Sequence, residues 1–177
     1  MEKDLSPVIQ RVLAGEFEAF EEIVEACQKP VYNLAFRLLQ DHEDAKDVAQ
    51  EAFLRAFRNL SFYDSKRPFI RWLLAIVYNL SMDCLRRRTK EKKAMKAASF
   101  MARHKSQSFN PSGIEWQELL NKLEEGDRAI VILKYWHGFT CSEIGEIVGL
   151  GEEAVKARLH RARLRLADEL RREGWLP

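Results

Sequence analysis

The sequence predicts an all-α protein: two small helical domains joined by a flexible basic linker, the second a helix-turn-helix (winged-helix-like) domain. Three observations carry that prediction. Apolar residues recur at helical spacing through most of the chain, and glycine (8) and proline (5) are too few to punctuate many strands. The periodicity fades between Glu91 and Gly113, where the composition turns basic and then Ser-, Asn- and Pro-containing. Beyond that break, Thr140 to Leu166 (TCSEIGEIVGLGEEAVKARLHRARLRL) reads as helix, tight turn, helix. The expected divisions are residues 1–90, a linker at 91–114, and residues 115–177.

Residues 16–39 carry Phe17, Phe20, Ile23, Val24 and Cys27, then Val31, Leu34, Ala35 and Leu38, both sets at helical spacing. Pro30 lies between them without a backbone donor, so a break or kink is expected there. Asp41-His42-Glu43-Asp44 is an acidic helix start, favourable to the helix dipole. The helix behind it has an unbroken apolar stripe: Ala45, Val48, Ala49, Ala52, Phe53, Ala56, Phe57 and Leu60. Its opposite face holds Asp47, Gln50, Glu51, Leu54 and Arg58. Leu54 there is either a lone exposed leucine, which means little, or the anchor for a partner helix.

Ser61 to Pro68 is a turn-rich loop carrying Phe62 and Tyr63, and Pro68 suits the first turn of the next helix. That helix runs from Phe69 to about Arg88, with Phe69, Ile70, Trp72, Leu73, Ile76, Val77, Leu80 and Cys84 or Leu85 turned inward. Asn79, Asp83 and Arg86 form a polar stripe on it, and Arg86-Arg87-Arg88-Thr89-Lys90 ends it. Basic residues at a helix C-terminus complement the dipole. Three consecutive arginines exceed that need and suit a nucleic-acid backbone. In the linker, Lys92, Lys93, Lys96, Arg103 and Lys105 stand against the single acidic Glu91.

Trp116, Leu119, Leu120 and Leu123 open the second domain, Gly126-Asp127 gives a break and an N-cap, and Ala129 to Trp136 a short apolar helix. Thr140 and Glu143 have the spacing of a capping box. Gly145 permits a close backbone approach, and Gly149 supplies the positive φ of the turn. The last helix starts near Glu152 and buries Val155, Leu159, Ala162 and Leu166. Its other faces carry Lys156, Arg158, His160, Arg161, Arg163 and Arg165, which fits a DNA major groove or a solvated arginine face.

Composition bounds the function. With 46% apolar and 32% charged residues and a net charge of only +2, any nucleic-acid signal lies in local patches. No apolar run reaches the roughly 18 residues of a membrane span. The start MEKDLSPVIQ lacks a basic stretch followed by an apolar core, so no secretory signal is expected. Cys27, Cys84 and Cys141 make no metal spacing with the histidines and suit reduced thiols in the cytoplasm. There is no glycine-rich phosphate loop, GxSxG or HExxH, so neither catalytic residues nor a cofactor nor a metal are expected.

The stretch Asp44 to Phe57 (DAKDVAQEAFLRAF) closely resembles the core-polymerase-binding helix of bacterial sigma factors. Pro68 to Asn79, continuing through Asp83 to Arg88, is similar to their minus-ten element reader, and Val155 to Arg163 to their minus-thirty-five reader. Three motifs in this order, over about residues 10–172, resemble the extracytoplasmic-function group, which keeps only the second and fourth conserved regions.

The resemblance implies a non-catalytic initiation factor, monomeric when free. It would bind core RNA polymerase through the β′ clamp helices and the β flap, bind promoter DNA, and answer to an anti-sigma factor. It implies that Asp47, Gln50, Glu51 and Leu54 face the clamp helices. Phe62, Tyr63 and Lys66 would receive a base flipped from the minus-ten strand, with Asn79 lining that pocket beside Asp83. Arg86, Arg87 and Arg88 would hold phosphates. Lys156, Ala157, His160 and Arg161 would face the minus-thirty-five major groove, with Arg163 nearer the backbone.

The chain departs from the family pattern at Gly145, where alanine is usual, at Ala157, where serine is usual, and at Glu152-Glu153-Ala154. The two glutamates either accept from cytosine amino groups or cap the helix. Two rival readings are a stand-alone helix-turn-helix repressor or activator that dimerises through its N-terminal helices and binds a palindrome, and an interaction module that keeps the fold but binds no DNA.

Overall fold

The computed structural model describes residues 4–98, 116–172 and 174, and among these every regular element is helical. The first unit contains α1 (Ser6–Leu13), a short 3₁₀ turn (Phe17–Ala19), α2 (Phe20–Leu39), α3 (His42–Arg58), a second 3₁₀ turn (Leu60–Phe62) and α4 (Phe69–Ala98). The second contains α5 (Trp116–Asn121), α6 (Glu125–Tyr135), α7 (Cys141–Val148) and α8 (Glu152–Arg172). No helix among the described residues is long and apolar enough to cross a membrane.

α2, α3 and α4 pack on one another around Ile23, Leu34, Leu38, Leu73 and Val77. α3 can lie close because its stripe is built on Ala45, Ala52 and Ala56, each fully buried. Asp41 caps it: the carboxylate accepts from the backbone N–H of Glu43 at 2.9 Å and of Asp44 at 3.0 Å.

Three expectations are corrected and one open choice is resolved. Of the two outcomes open at Pro30, two helices or one bent helix, the chain takes a single helix, α2, with Pro30 inside it. Both apolar sets flanking the proline face the same core, and that burial outweighs the one lost hydrogen bond. Phe17 is 61% exposed rather than inward. Gly126 is not a break but lies in the first turn of α6, where Glu125 and Asp127 favour the helix N-terminus. The helix expected to stop at Arg88 runs to Ala98, so residues 91–98 of the expected linker are helical. The rest of that linker, 99–114, lies outside the described residues.

The two units are packed together, α7 on α4 and α6 on α2. That explains a side of α4 that periodicity missed. Leu74 is fully buried and lies three residues from Arg71, the residue that reaches α7.

Within the second unit α6, α7 and α8 enclose Ile130, Ile132, Leu133, Ile144, Ile147, Val155 and Leu159. Thr140 and Glu143 form the expected capping box, and Gly149 ends α7 at φ 73°. Gly145 sits against the turn: a Cβ there would lie 2.5 Å from the Leu150 carbonyl oxygen. The turn thus needs its three signals together, a cap, a contact too close for a methyl, and a left-handed residue. No strand accompanies it among the described residues.

Candidate functional site

Three surfaces gather the residues singled out in the sequence. The first is the outer side of α3. Asp41, by capping, fixes where the helix starts, so Asp47, Gln50, Glu51 and Leu54 follow at i, i+3, i+4 and i+7 on one side. Leu54 is 42% exposed, on a helix whose alanine stripe is fully buried. Arg55 Nε bonds Glu51 Oε1 at 2.7 Å across one turn. Sequence reasoning missed that the apolar surface extends further. Phe57 is part-exposed and packs edge-on against Phe17 (5.9 Å between centroids) and Phe20 (5.1 Å), and Leu13 is exposed beyond the turn.

The second surface is the Ser61–Pro68 loop and the outer side of α4. Phe62 projects into solvent, 82% exposed. Tyr63 does not join it. Its ring packs against Phe69 (5.3 Å) and Trp72 (5.3 Å), and its hydroxyl donates to the Arg67 carbonyl, which folds the loop onto the start of α4. Burial pushes the Tyr63 phenol above its ordinary pKa, so it stays protonated. Lys66, Asn79 and Asp83 are exposed.

The three arginines do not act alike. Arg86 bonds Asp83 Oδ1 at 3.0 Å on the surface, and Arg87 lies 3.9 Å from Glu91. Arg88 turns inward: it pairs with Asp44, reaches Asp41 at 3.7 Å, and donates to the Leu39 carbonyl at 2.8 Å. It ties the end of α2 and the start of α3 to α4. Cys84 beside it is buried and, by burial first and Asp44 second, held above the usual thiol pKa.

The third surface is α8. With Val155, Leu159 and Ala162 buried, a turn of 100° per residue sends Ala157, His160 and Arg161 directly outward. Lys156 and Arg163 share one flank, Arg158 and Arg165 the other. Lys156 is clamped by Glu153 (2.8 Å) and Glu152 (2.9 Å), which hold its ammonium above the usual lysine range. Arg158 reaches back to Asp127 at 3.6 Å. Arg163 donates to the Leu159 carbonyl at 3.4 Å and lies along an apolar groove. Trp116, Leu120, Val131, Tyr135, Trp136 and Leu166 line that groove, and Trp116 and Tyr135 are more than half exposed. The sequence offers the aromatic pair Tyr135-Trp136 at the end of an apolar helix as the signal that could have revealed it.

Among the described residues no three His, Cys, Asp or Glu side chains converge as a metal site. The three surfaces are an apolar-and-polar helix side, an aromatic loop beside a polar stripe, and an outward basic helix behind a capped turn.

Comparison with known proteins gives two family matches. Residues 23–91 match the model described as Sigma-70 region 2, and residues 114–166 match Sigma-70, region 4. Among relatives, the ECF RNA polymerase sigma factor SigW of Bacillus subtilis (strain 168) is 31% identical, over 97% of this chain and 99% of its own. Among solved structures, the sigma factor RpoE in complex with the anti-sigma factor NepR from Bartonella quintana superposes with a TM-score of 0.71 at 24% identity. It covers 86% of this chain and 96% of that one, and it bears on the fold alone. CnrH in complex with the cytosolic domain of CnrY gives 0.69 at 25% identity, covering 92% and 94%.

Proposed function

Because the chain belongs to the extracytoplasmic-function group of RNA polymerase sigma factors, we propose that it binds core polymerase through α3 and reads a two-part promoter through α4 and α8. The observation that carries this reading is Leu54. An exposed leucine flanked by Gln50 and Glu51, on a helix whose opposite stripe is buried on alanines, suits a partner helix. The clamp helices of β′ are the partner the family supplies. The apolar groove of Trp116, Tyr135, Trp136 and Leu166 is the face we assign to the β flap.

The domain roles follow: the first unit, carried by α4 on to Ala98, as region two, residues 99–114 as linker and 115–177 as region four. In the first, Phe62 is the side chain placed to stack on an unstacked minus-ten base, with Lys66 and Asn79 at its edges. Arg86 and Arg87 hold the backbone. In the second, Ala157, His160 and Arg161 enter the minus-thirty-five major groove, with Lys156 and Arg163 on the flank toward one phosphate strand. Glu152 and Glu153 occupy themselves with Lys156, so they shape the helix start rather than repel the groove. Control by an anti-sigma factor belongs to this reading, and the neighbouring RpoE structure holds the anti-sigma factor NepR. The protein adds specificity to the polymerase and catalyses nothing itself.

Fluorescence anisotropy of labelled protein against core polymerase tests the reading. Saturable binding is expected, weakened at least tenfold by Leu54→Ala with unchanged helix content. No association with core at low salt, or an Ala variant that binds as well as wild type, refutes the assignment.

A further inference from the structure

The outward row of α8 begins one turn before Ala157. At about 100° per residue, Glu153 falls within about 40° of Ala157 and about 20° of His160 around the helix axis, opposite the buried Val155, Leu159 and Ala162. Its side chain is 86% exposed, against 47% for Glu152, which the same rotation puts on the Lys156 flank. Both carboxylates stand in the first turn of the helix, yet neither accepts from a backbone N–H among the described residues. Their bonds go to Lys156, so neither is spent on capping.

Position decides what such a side chain meets. A recognition helix meets base edges through its N-terminal residues. Glu153 lies about 6 Å before Ala157 along the axis. Ala157 carries only a methyl group, so the longer glutamate is not screened by its neighbour on the row. Charge would ordinarily keep a carboxylate out of a groove walled by phosphates. Here Lys156 Nζ bonds Glu153 Oε1 at 2.8 Å and Glu152 at 2.9 Å, and the positive end of the helix dipole lies in the same turn. That ion pair occupies one of the two Glu153 oxygens, and Oε2 has no partner among the described residues. The lysine therefore offsets the charge and holds the carboxylate while leaving one acceptor free.

The chemistry of the free oxygen selects the base. A carboxylate can only accept hydrogen bonds. In the major groove guanine offers N7 and O6 and thymine O4, all acceptors, whereas adenine N6 and cytosine N4 donate. Adenine sets its donor beside the N7 acceptor, which repels a carboxylate, and cytosine has no acceptor of its own on that edge.

We propose that Glu153 is a specificity-determining residue of α8, accepting through Oε2 from the N4 amino group of a cytosine in the upstream element while Lys156 holds its other oxygen. The assignment rests on the sigma-factor reading, which makes α8 the upstream reader.

The test is selection by the holoenzyme, the full chain bound to core RNA polymerase, from a pool of promoter-length duplexes randomised over the upstream element. Wild type, E153A, E153Q and E152A are compared, with helix content checked by circular dichroism. The wild type should enrich a C·G pair, in one orientation, at least tenfold at one position. E153A should lose that preference while the other positions keep theirs. E153Q should move it to an A·T pair, because a carboxamide both donates and accepts and fits adenine N6 and N7. E152A should leave it in place. An element that E153A leaves unchanged overturns the assignment, and so does one whose altered position held an A·T pair in the wild type. Enrichment lost evenly over all positions, or a preference that E152A removes equally, overturns it too, because either traces the effect to the charge of the first turn. Failure of the sigma reading looks different: the wild-type holoenzyme then enriches no upstream element at all, and the cytosine assignment falls with it.

Discussion

Replacing Gly145 by alanine isolates the contact on which the helix-turn-helix is built. Alanine is the better helix former by about 1 kcal/mol, and it is the usual residue here in the family, so naive reasoning predicts stabilisation. The geometry predicts the reverse. The new methyl would lie 2.5 Å from the Leu150 carbonyl oxygen, where a carbon–oxygen contact needs about 3.3 Å. The Leu150 carbonyl must therefore retreat by roughly 0.8 Å. It is tied down because the Leu150 N–H donates to the Gly145 carbonyl at 3.0 Å, and Gly151 and Glu152 lead straight into α8. Overpacking of this kind costs about 1–3 kcal/mol, which leaves a net loss of up to roughly 2 kcal/mol after the propensity gain. For a chain of this size that is a fall in Tm of up to about 8 °C. Thermal melts followed by circular dichroism read it directly. A raised Tm would refute the close-approach argument.

Further expectations concern the charges and the cap. Asp44→Asn removes the partner of a half-buried Arg88 and should destabilise the protein by about 1–3 kcal/mol in urea titration, whereas Asp83→Asn, on the surface, should change little. Thr140→Ala dismantles the capping box and should cost about 1 kcal/mol by the same measurement. His137 is lowered to about 4, by burial first and by the Arg37 charge second. The unfolded imidazole takes up its proton near pH 6.5, so below that the unfolded state binds more protons. Stability should therefore fall as pH drops from 6.5 toward 4, by about 2–3 kcal/mol in all, and His137→Gln should flatten that limb of the stability–pH curve. Arg161→Ala should reduce minus-thirty-five discrimination by about 1–3 kcal/mol in competition gel shifts of the holoenzyme if it reads a base; a uniform loss across sequences would instead mark a phosphate contact.

Periodicity and end signals made the architecture legible. Thr140, Glu143 and Gly149 placed the helix-turn-helix because capping and left-handed backbone are local properties. The Asp41–Asp44 start of α3 was legible for the same reason. Local reasoning failed where a second surface intervened. Pro30 is carried through because a core on its own side outweighs one hydrogen bond. Leu74 is buried on the side of α4 that meets the second domain, which no pattern within α4 reveals. Arg88 looks like its neighbours Arg86 and Arg87 in sequence, and only the packing of α3 brings Asp44 beneath it. The exposed Leu54 was visible as an anomaly of the pattern, and its continuation through Phe57 to Phe17 was not, because the two phenylalanines come from different elements.

Reconstituted run-off transcription tests the central claim most directly. Purified protein added to core RNA polymerase on a library of promoter fragments should give discrete transcripts from a subset that shares two separated sequence elements. Leu54→Ala should abolish them by loss of core binding, and Phe62→Ala should lose them at open-complex formation with core binding intact. Transcription no different from core alone would contradict the account, as would specific duplex binding by the isolated protein as a dimer on a palindrome.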